Sequence, residues 1–229
     1  MFVSLRKSVI IIARGGSKGL PRKNVLLHNG KPLIAHAIDA GLRSSVGRVW
    51  VSTDDDEIAA VAVKAGANLL RQPPEVSTDT SSDLDAFTYV LSQPVIASLE
   101  LDYVVHLRAT FPDVTPQLID SAAEQFEAAR DRYDSLRSVV RSNQHPCKMW
   151  FVANDELTPV IPGNALHSSQ RQILPTVYWQ NAAIDLFKVS NVLEKRSMVG
   201  GNIMPFIMDA EQGVDVDTWD DYQRLIARV

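Results

Sequence analysis

Arg14, Lys18, Arg22 and Lys23 place four cations within ten residues, interleaved with Gly15, Gly16 and Gly19 and with almost no apolar side chains. Glycines let a backbone turn sharply and bring bare N–H groups up to a ligand, and cations supply counter-charge. The chemistry this suits is polyphosphate binding. A solvated surface loop has the same composition, but this run follows Val9-Ile10-Ile11-Ile12, a β-branched segment of the kind buried in a parallel sheet. A glycine-rich loop at the carboxyl end of a sheet strand is a place where phosphates are held. The spacing excludes both the GxxxxGK[ST] and the GxGxxG phosphate loops. Near the other end stands Gly213-Val214-Asp215-Val216-Asp217-Thr218. Alternate side chains of an extended segment share a face, so Asp215 and Asp217 point one way and Val214 and Val216 the other. Neighbouring carboxylates repel, a cost tolerated when a divalent cation such as Mg²⁺ lies between them and phosphate oxygens complete its shell. The same residues also suit a turn into a final helix, with Asp217 or Thr218 as N-cap.

The elements that must position these groups alternate between strand and helix. Helical spacing recurs over Leu33–Leu42, Ile58–Ala65, Ser82–Leu91 and Thr115–Arg130, and Trp219, Tyr222, Leu225, Ile226 and Val229 make a closing amphipathic helix. Strand-like runs lie at Arg48–Thr53, Asn68–Arg71, Tyr103–Arg108, Ser138–Arg141, Val177–Val189 and Ile203–Met208. Asp54-Asp55-Asp56 reads as strand-end and helix-cap acid, and His106, apolar-flanked on a strand, as a core residue. This order implies an α/β fold, a three-layer α/β/α nucleotide-binding sandwich on a mostly parallel sheet, with ligands beyond the strands' carboxyl ends. The chain reads as a single domain over 1–229. Its pattern breaks at about 143–176, where Pro146, Pro159, Pro162, Gly163 and Pro175 predict an inserted arm of irregular structure or short hairpins.

The chain has 229 residues, 45% of them hydrophobic and 22% charged, with a formal net charge of −4. A mildly acidic balance argues against nucleic acid as partner, because backbone binding needs a broad positive surface. The one cysteine, Cys147, allows no intrachain disulfide and reads as an inert thiol in a reducing compartment. No apolar run reaches membrane-span length and no signal-peptide core is present, so the expectation is a cytoplasmic protein without a membrane partner.

Ala13, Arg14, Ser17, Lys18, Lys23 and Asn24 fill the pattern A-R-x-x-S-K-x-x-x-x-K-N, and the chain thereby resembles the acylneuraminate (sialic acid) cytidylyltransferase family. Asp215–Thr218 resembles that family's D-[IV]-D-T string, whose two Asp residues are metal ligands. The resemblance continues, in order, through the segment after Arg71 to Ser82, His106–Pro112, His145–Lys148, Arg171–Pro175 and Trp179–Ala182. It implies a CTP-dependent nucleotidyltransferase that activates a nonulosonic acid (sialic, legionaminic or pseudaminic type) to its CMP-sugar with release of pyrophosphate. In that reading Ala13, Arg14, Gly15, Gly16, Ser17, Lys18, Lys23, Asn24, Arg71 and Ser82 bind the nucleotide. Arg108, Lys148, Arg171 and Asn181 meet the acidic sugar, Asp215 and Asp217 hold Mg²⁺, and Arg14, Lys23, Arg108 and Asp217 carry catalysis. The family's arm contributes to a homodimer and covers the partner's sugar site.

The related Kdo and 8-amino-Kdo cytidylyltransferases usually carry Pro where this chain has Asn24. A degenerate, non-catalytic nucleotide-binding module would lack the basic loop or the Asp pair, and both are present. The chain departs from the sialic acid pattern at Gln72, where the family has Pro, and at Asp83, in place of a second serine. It departs also at Arg108, where Gln is frequent, and at Trp179, which replaces an Arg. The last two suggest a pocket sorted for a less hydroxylated acid, since a sugar hydroxyl buried on an indole without a partner costs about 1–3 kcal/mol.

Overall fold

The structure is a computed structural model that describes residues 5–78, 80–163, 165–209 and 213–228. The apolar run near the N-terminus is the centre of β1 (Lys7–Ile12). After the basic loop come the short pair β2 (Leu27–His28) and β3 (Lys31–Pro32), α1 (Leu33–Arg43), β4 (Val49–Thr53), α2 (Asp56–Lys64) and β5 (Asn68–Arg71). The middle of the chain forms α3 (Asp83–Ser92), α4 (Pro94–Ala97), β6 (Tyr103–Leu107), α5 (Pro116–Ala129) and β7 (Ser135–Arg141). The rest comprises β8 (Trp150–Ala153), β9 (Glu156–Pro159), β10 (Tyr178–Lys188), α6 (Val189–Leu193), β11 (Ile203–Met208) and α7 (Trp219–Ile226). Val229, expected in the last helix, and Asp79 lie outside the described residues.

Seven strands form one sheet in the order β11-β7-β10-β6-β1-β4-β5. All neighbours are parallel except β10, which runs antiparallel to both β6 and β7. Strand alternation divides the core. Val9, Ile11, Val51, Val105 and Leu107 meet Ile34, Ile38, Ile58, Ile119 and Phe126 of α1, α2 and α5 on one face. Ile10, Trp50, Leu70, Val104 and Phe187 meet Phe87, Val90, Leu91 and Ile96 of α3 and α4 on the other. The expected three-layer sandwich is what the chain adopts. Pro94 does not merely close the preceding helix: with its fixed φ it opens α4 at N1.

A third, smaller cluster joins the two chemical motifs. Leu20 of the basic loop, Leu33, Val216 and Leu225 are buried against one another, with Leu26 and Tyr222 packed on them. Val216 is fully buried between Asp215 and Asp217, whereas Val214 is only half-buried. On α7 only Leu225 is fully buried, while Trp219 and Ile226 are exposed, so the apolar stripe is narrower than its spacing predicts.

The arm is real. Between β7 and β10 the chain makes three 3-10 turns and the β8–β9 hairpin, turned by Asn154 and Asp155 at φ 50° and 62°, the residue types a type I′ turn demands. Its base is closed by the Ser142 N–H donating to the Val177 carbonyl at 3.0 Å. Farther along, β10 is bulged between Gln180 and Asp185, with Ala182 left-handed at φ 56°. No helix of the described residues is long and apolar enough to cross a membrane.

Candidate functional site

Beyond the carboxyl ends of β1, β5 and β6 lies a cavity of about 450 Å³. β1 is the point from which the chain first winds out through β4 to β5 and then returns to β6 on the other side, the crevice where open α/β sheets bind ligands. One wall is the basic loop, through Arg14, Ser17, Lys18, Gly19, Lys23 and Asn24. The facing wall is Gln72, Val76–Thr78 and Ser81–Asp83, and Arg108, Ala109, Thr110 and Asp217 close the end.

Ala13 extends β1 by one bond, its N–H donating to the Ser52 carbonyl at 3.0 Å, before the loop turns. Gly15 then donates to Asp54 Oδ1 at 2.9 Å, so close to the neighbouring acid that a Cβ would lie 2.6 Å from Asp55 Oδ2. Asp55 is the N-cap of α2, accepting from the Ile58 N–H at 2.9 Å, as its position after a strand suggests. Arg22, left-handed at φ 59°, pairs with Asp55 and Glu57, and this guanidinium holds the Asp55 carboxyl down to about 2. Arg22 is thereby committed to the loop's own architecture. Asn24 is buried and its Nδ2 donates to the Arg14 carbonyl at 3.0 Å, which staples the loop's start to its end. Arg14 reaches across the cavity, Nη1 donating to the Thr78 carbonyl at 2.8 Å.

The carboxylate pair is fixed from three sides. Val216 N–H donates to the Thr110 carbonyl at 3.0 Å, and Thr110 Oγ1 donates to Asp215 Oδ1 at 2.6 Å. A Cβ on Gly213 would overlap the Phe111 ring, so only glycine lets this segment lie against β6's exit. Burial, reinforced by the like charge of Asp217, pushes the Asp215 carboxyl above its ordinary value. Asp217 meets Lys23 Nζ at 2.6 Å, a direct bridge between the two motifs. Thr218, not Asp217, caps α7, in a reciprocal box with Asp221, so capping and ligand roles fall on different residues. Asp215 and Asp217 form an all-oxygen donor pair suited to a hard divalent cation. Among the described residues no third His, Cys, Asp or Glu joins them, so water or ligand oxygens would have to complete the shell.

Of the residues singled out in the sequence, Ala13, Arg14, Ser17, Lys18, Lys23, Asn24, Ser82, Arg108 and Asp217 line the cavity, and Asp215 abuts it through Thr110. Gly15 and Gly16 do not line it: Gly15 faces Asp55, and Gly16 has open space around it. Arg71 is turned outward onto Asp56 at 2.7 Å, and the next residue, Gln72, takes the cavity wall. Gln72 is buried, its Nε2 donating to the Val76 carbonyl at 3.2 Å while Oε1 has no partner among the described residues. Lys148 donates to the His167 and Ser169 carbonyls within the arm, at 3.2 and 2.7 Å. Arg171 lies on an exposed turn of the arm, and Asn181 Nδ2 faces Met208 Sδ at 3.4 Å. These three do not join Arg108 within one chain, and Trp179, 66% exposed, lies outside the cavity as well. His106 is the expected core residue, buried edge-on to Phe87 at 4.7 Å, with burial pushing its imidazole well below its ordinary value.

Sequence reasoning missed Gln72, Thr110 and Asp83. The Gln72 N–H still pairs with the Thr53 carbonyl at 2.9 Å, so β5's geometry carries one residue past the point where Arg71 was expected to face the ligand.

A cytidylyltransferase family model matches residues 8–174. N-acylneuraminate cytidylyltransferase A of Danio rerio is 35% identical over 216 residues, covering 94% of this chain and 49% of the relative. The chain thus spans about half the length of the first curated relatives it matches. Post-translational flagellin modification protein B of Campylobacter coli is 29% identical over 216 residues, covering 93% of this chain and 90% of that protein. Among solved structures, a CMP:2-keto-3-deoxy-manno-octonic acid synthetase complexed with CTP superposes with a TM-score of 0.71 at 19% identity, over 97% of this chain and 98% of the other.

Proposed function

The chain belongs to the cytidylyltransferase family, and from that premise we propose that it transfers CMP from CTP to a nonulosonic acid of sialic, legionaminic or pseudaminic type, releasing pyrophosphate. The observation that carries the reading is the Lys23–Asp217 contact at 2.6 Å: it brings the basic loop and the carboxylate pair together at one cavity.

In this reading Arg14, Ser17, Lys18 and Lys23 hold the triphosphate against the loop wall, and the polar run Ser77–Ser82 faces base and ribose. Asp215 and Asp217 would hold the divalent cation, which we take to be Mg²⁺. When bound, it supplies neutralisation of charge on the phosphates as pyrophosphate leaves. Arg108, at the cavity's end, donates its planar fork to the α-phosphate or to the sugar carboxylate. The anomeric hydroxyl of the acid attacks the α-phosphorus in line and gives up its proton to solvent, while the bond to the pyrophosphate oxygen breaks and its electron pair leaves with pyrophosphate. Positioning supplies much of the catalysis.

The sugar half of the site is proposed to be completed across a homodimer. Phe151, Val152, Leu157, Ile173 and Trp179 of the arm and β10 are each more than 60% exposed, more apolar surface than an isolated arm carries without cost. Lys148, Arg171 and Asn181 would then serve the site the arm covers. A triphosphate substrate and one buried thiol fit the cytoplasm. A Kdo acceptor has the shared fold alone behind it, and the hydrogen bond that the Asn24 side-chain amide donates to the Arg14 carbonyl is one that a proline could not make.

The test is pyrophosphate release measured across the four nucleoside triphosphates and a panel of nonulosonic and octulosonic acids. Turnover with CTP and a nonulosonic acid is expected. No turnover with any acid, or a preference for Kdo, overturns the reading.

A further inference from the structure

Arg108 has surroundings that its place in the cavity does not explain. Its Nη2 lies 2.8 Å from Asp83 Oδ2, and its Nε is buried without a partner among the described residues. Asp185 and Asp215 also act on its charge, while Asp185 is itself bound by Arg137 at 2.7 Å and Asp215 by Thr110 at 2.6 Å. Among the described residues Asp83 is therefore the one carboxylate in direct contact with this guanidinium. A guanidinium this buried, at 29% side-chain exposure, would be costly without a held counter-charge. Burial opposes ionisation of both partners, yet their mutual attraction prevails, keeping Asp83 below and Arg108 above their ordinary values.

The pair also joins two separately built parts of the cavity. Arg108 follows β6, the strand beside β1. Asp83 is the first residue of α3, directly after its cap Ser82, and both belong to the wall facing the basic loop. α3 is locked onto the sheet by Phe87, which packs edge-on against His106 at 4.7 Å and Phe187 at 4.9 Å. The helix cannot slide without breaking those ring contacts, so the backbone at Asp83 is held beside Arg108.

We infer that Asp83 is a positioning residue for the acid-acceptor step: it holds the Arg108 guanidinium in one pose at the boundary between the nucleotide wall and the sugar side, so that the free N–H groups of the fork meet the incoming acid. The inference rests on the cytidylyl-transfer reading.

The experiment is steady-state pyrophosphate release, with CTP and the preferred acid varied in turn, for the unmodified chain, Asp83→Asn, Asp83→Glu, Arg108→Gln and Asp83→Asn/Arg108→Gln. Thermal unfolding is followed in parallel. Asp83→Asn is expected to lower kcat/KM for the acid at least tenfold while KM for CTP stays within threefold. The double variant should be no worse than Arg108→Gln alone, since a positioning residue has nothing left to position. Asp83→Glu should recover part of the loss. Multiplicative losses in the double variant overturn the inference. An unchanged or improved kcat/KM for the acid, or equal losses for both substrates with a lowered melting temperature, overturns it too. Absence of turnover in the unmodified chain overturns the activity reading, and the inference with it.

Discussion

Gly15 and Gly16 are adjacent, and the structure gives them opposite fates under the same substitution. A Cβ at position 15 would lie 2.6 Å from Asp55 Oδ2 and 2.9 Å from Asp55 Cβ, and the acid cannot retreat without leaving Arg22 and the α2 N–H it caps. Losing the cap costs about 1 kcal/mol. The Arg22–Asp55 pair, with side chains 40% and 19% exposed, adds up to about 1 kcal/mol after solvent screening. A total near 2 kcal/mol lowers the melting temperature of a chain this long by about 4–8 °C. The displaced loop also carries Arg14 and Lys18, so CTP affinity should fall at least tenfold. At position 16 nothing lies within 4 Å of the added atom, so Gly16→Ala should behave as an ordinary surface change, within about 0.5 kcal/mol. Scanning fluorimetry and calorimetric CTP titration of both variants make the comparison. If Gly15→Ala melts and binds like the unmodified chain, or Gly16→Ala is damaged equally, the loop is not held in the way described.

Asp217→Asn should abolish turnover with little change in melting temperature, because the side chain is 64% exposed and the substitution keeps its volume. Wild-type activity at limiting Mg²⁺ would remove Asp217 from the metal site. Ala182→Gly should raise the melting temperature by up to about 4 °C, because a left-handed L-residue costs about 1–2 kcal/mol and glycine's greater chain entropy returns only part of that. A fall in melting temperature would refute the strain at the bulge. Asp134 accepts from the Gly201 N–H at 2.7 Å, which with Lys195 holds its carboxyl down to about 2. Its folded value lies below its unfolded one, so its stabilisation is present above about pH 4 and is lost as pH falls toward 2. Asp134→Asn should flatten that stretch of the stability–pH curve, and a curve of unchanged slope would show the charge is not held.

Much of this architecture could be read from apolar period alone. β1, the stripes of α1, α2 and α5, and the burial of Val216 between two acids each depend on neighbours close in sequence. What could not be read depends on neighbours far away. A run such as Ala182–Phe187 looks the same whether its strand runs up or down the sheet, so the antiparallel direction of β10 was invisible. Arg71 and Gln72 differ by one step of a period-two strand, and one step moves a side chain from cavity to solvent. The commitment of Arg22 to Asp55, and of Arg108 to Asp83, is set by tertiary approach across 33 and 25 positions, which no local pattern records.

The hydrogen bond between Ser142 and Val177 has a consequence for how this chain can change. β7 and β10 are adjacent antiparallel strands, so the whole arm is, topologically, an overgrown hairpin loop that departs from and returns to a single spot. Closure entropy grows only with the logarithm of loop length, about 0.6 kcal/mol per doubling, so the sheet is nearly indifferent to what is inserted there. The cavity-lining half, with its loop, carboxylates and three packed clusters, is built without it. The arm joins the sheet at that one seam, so its length and sequence can change while the strands that carry the basic loop and the carboxylates keep their places.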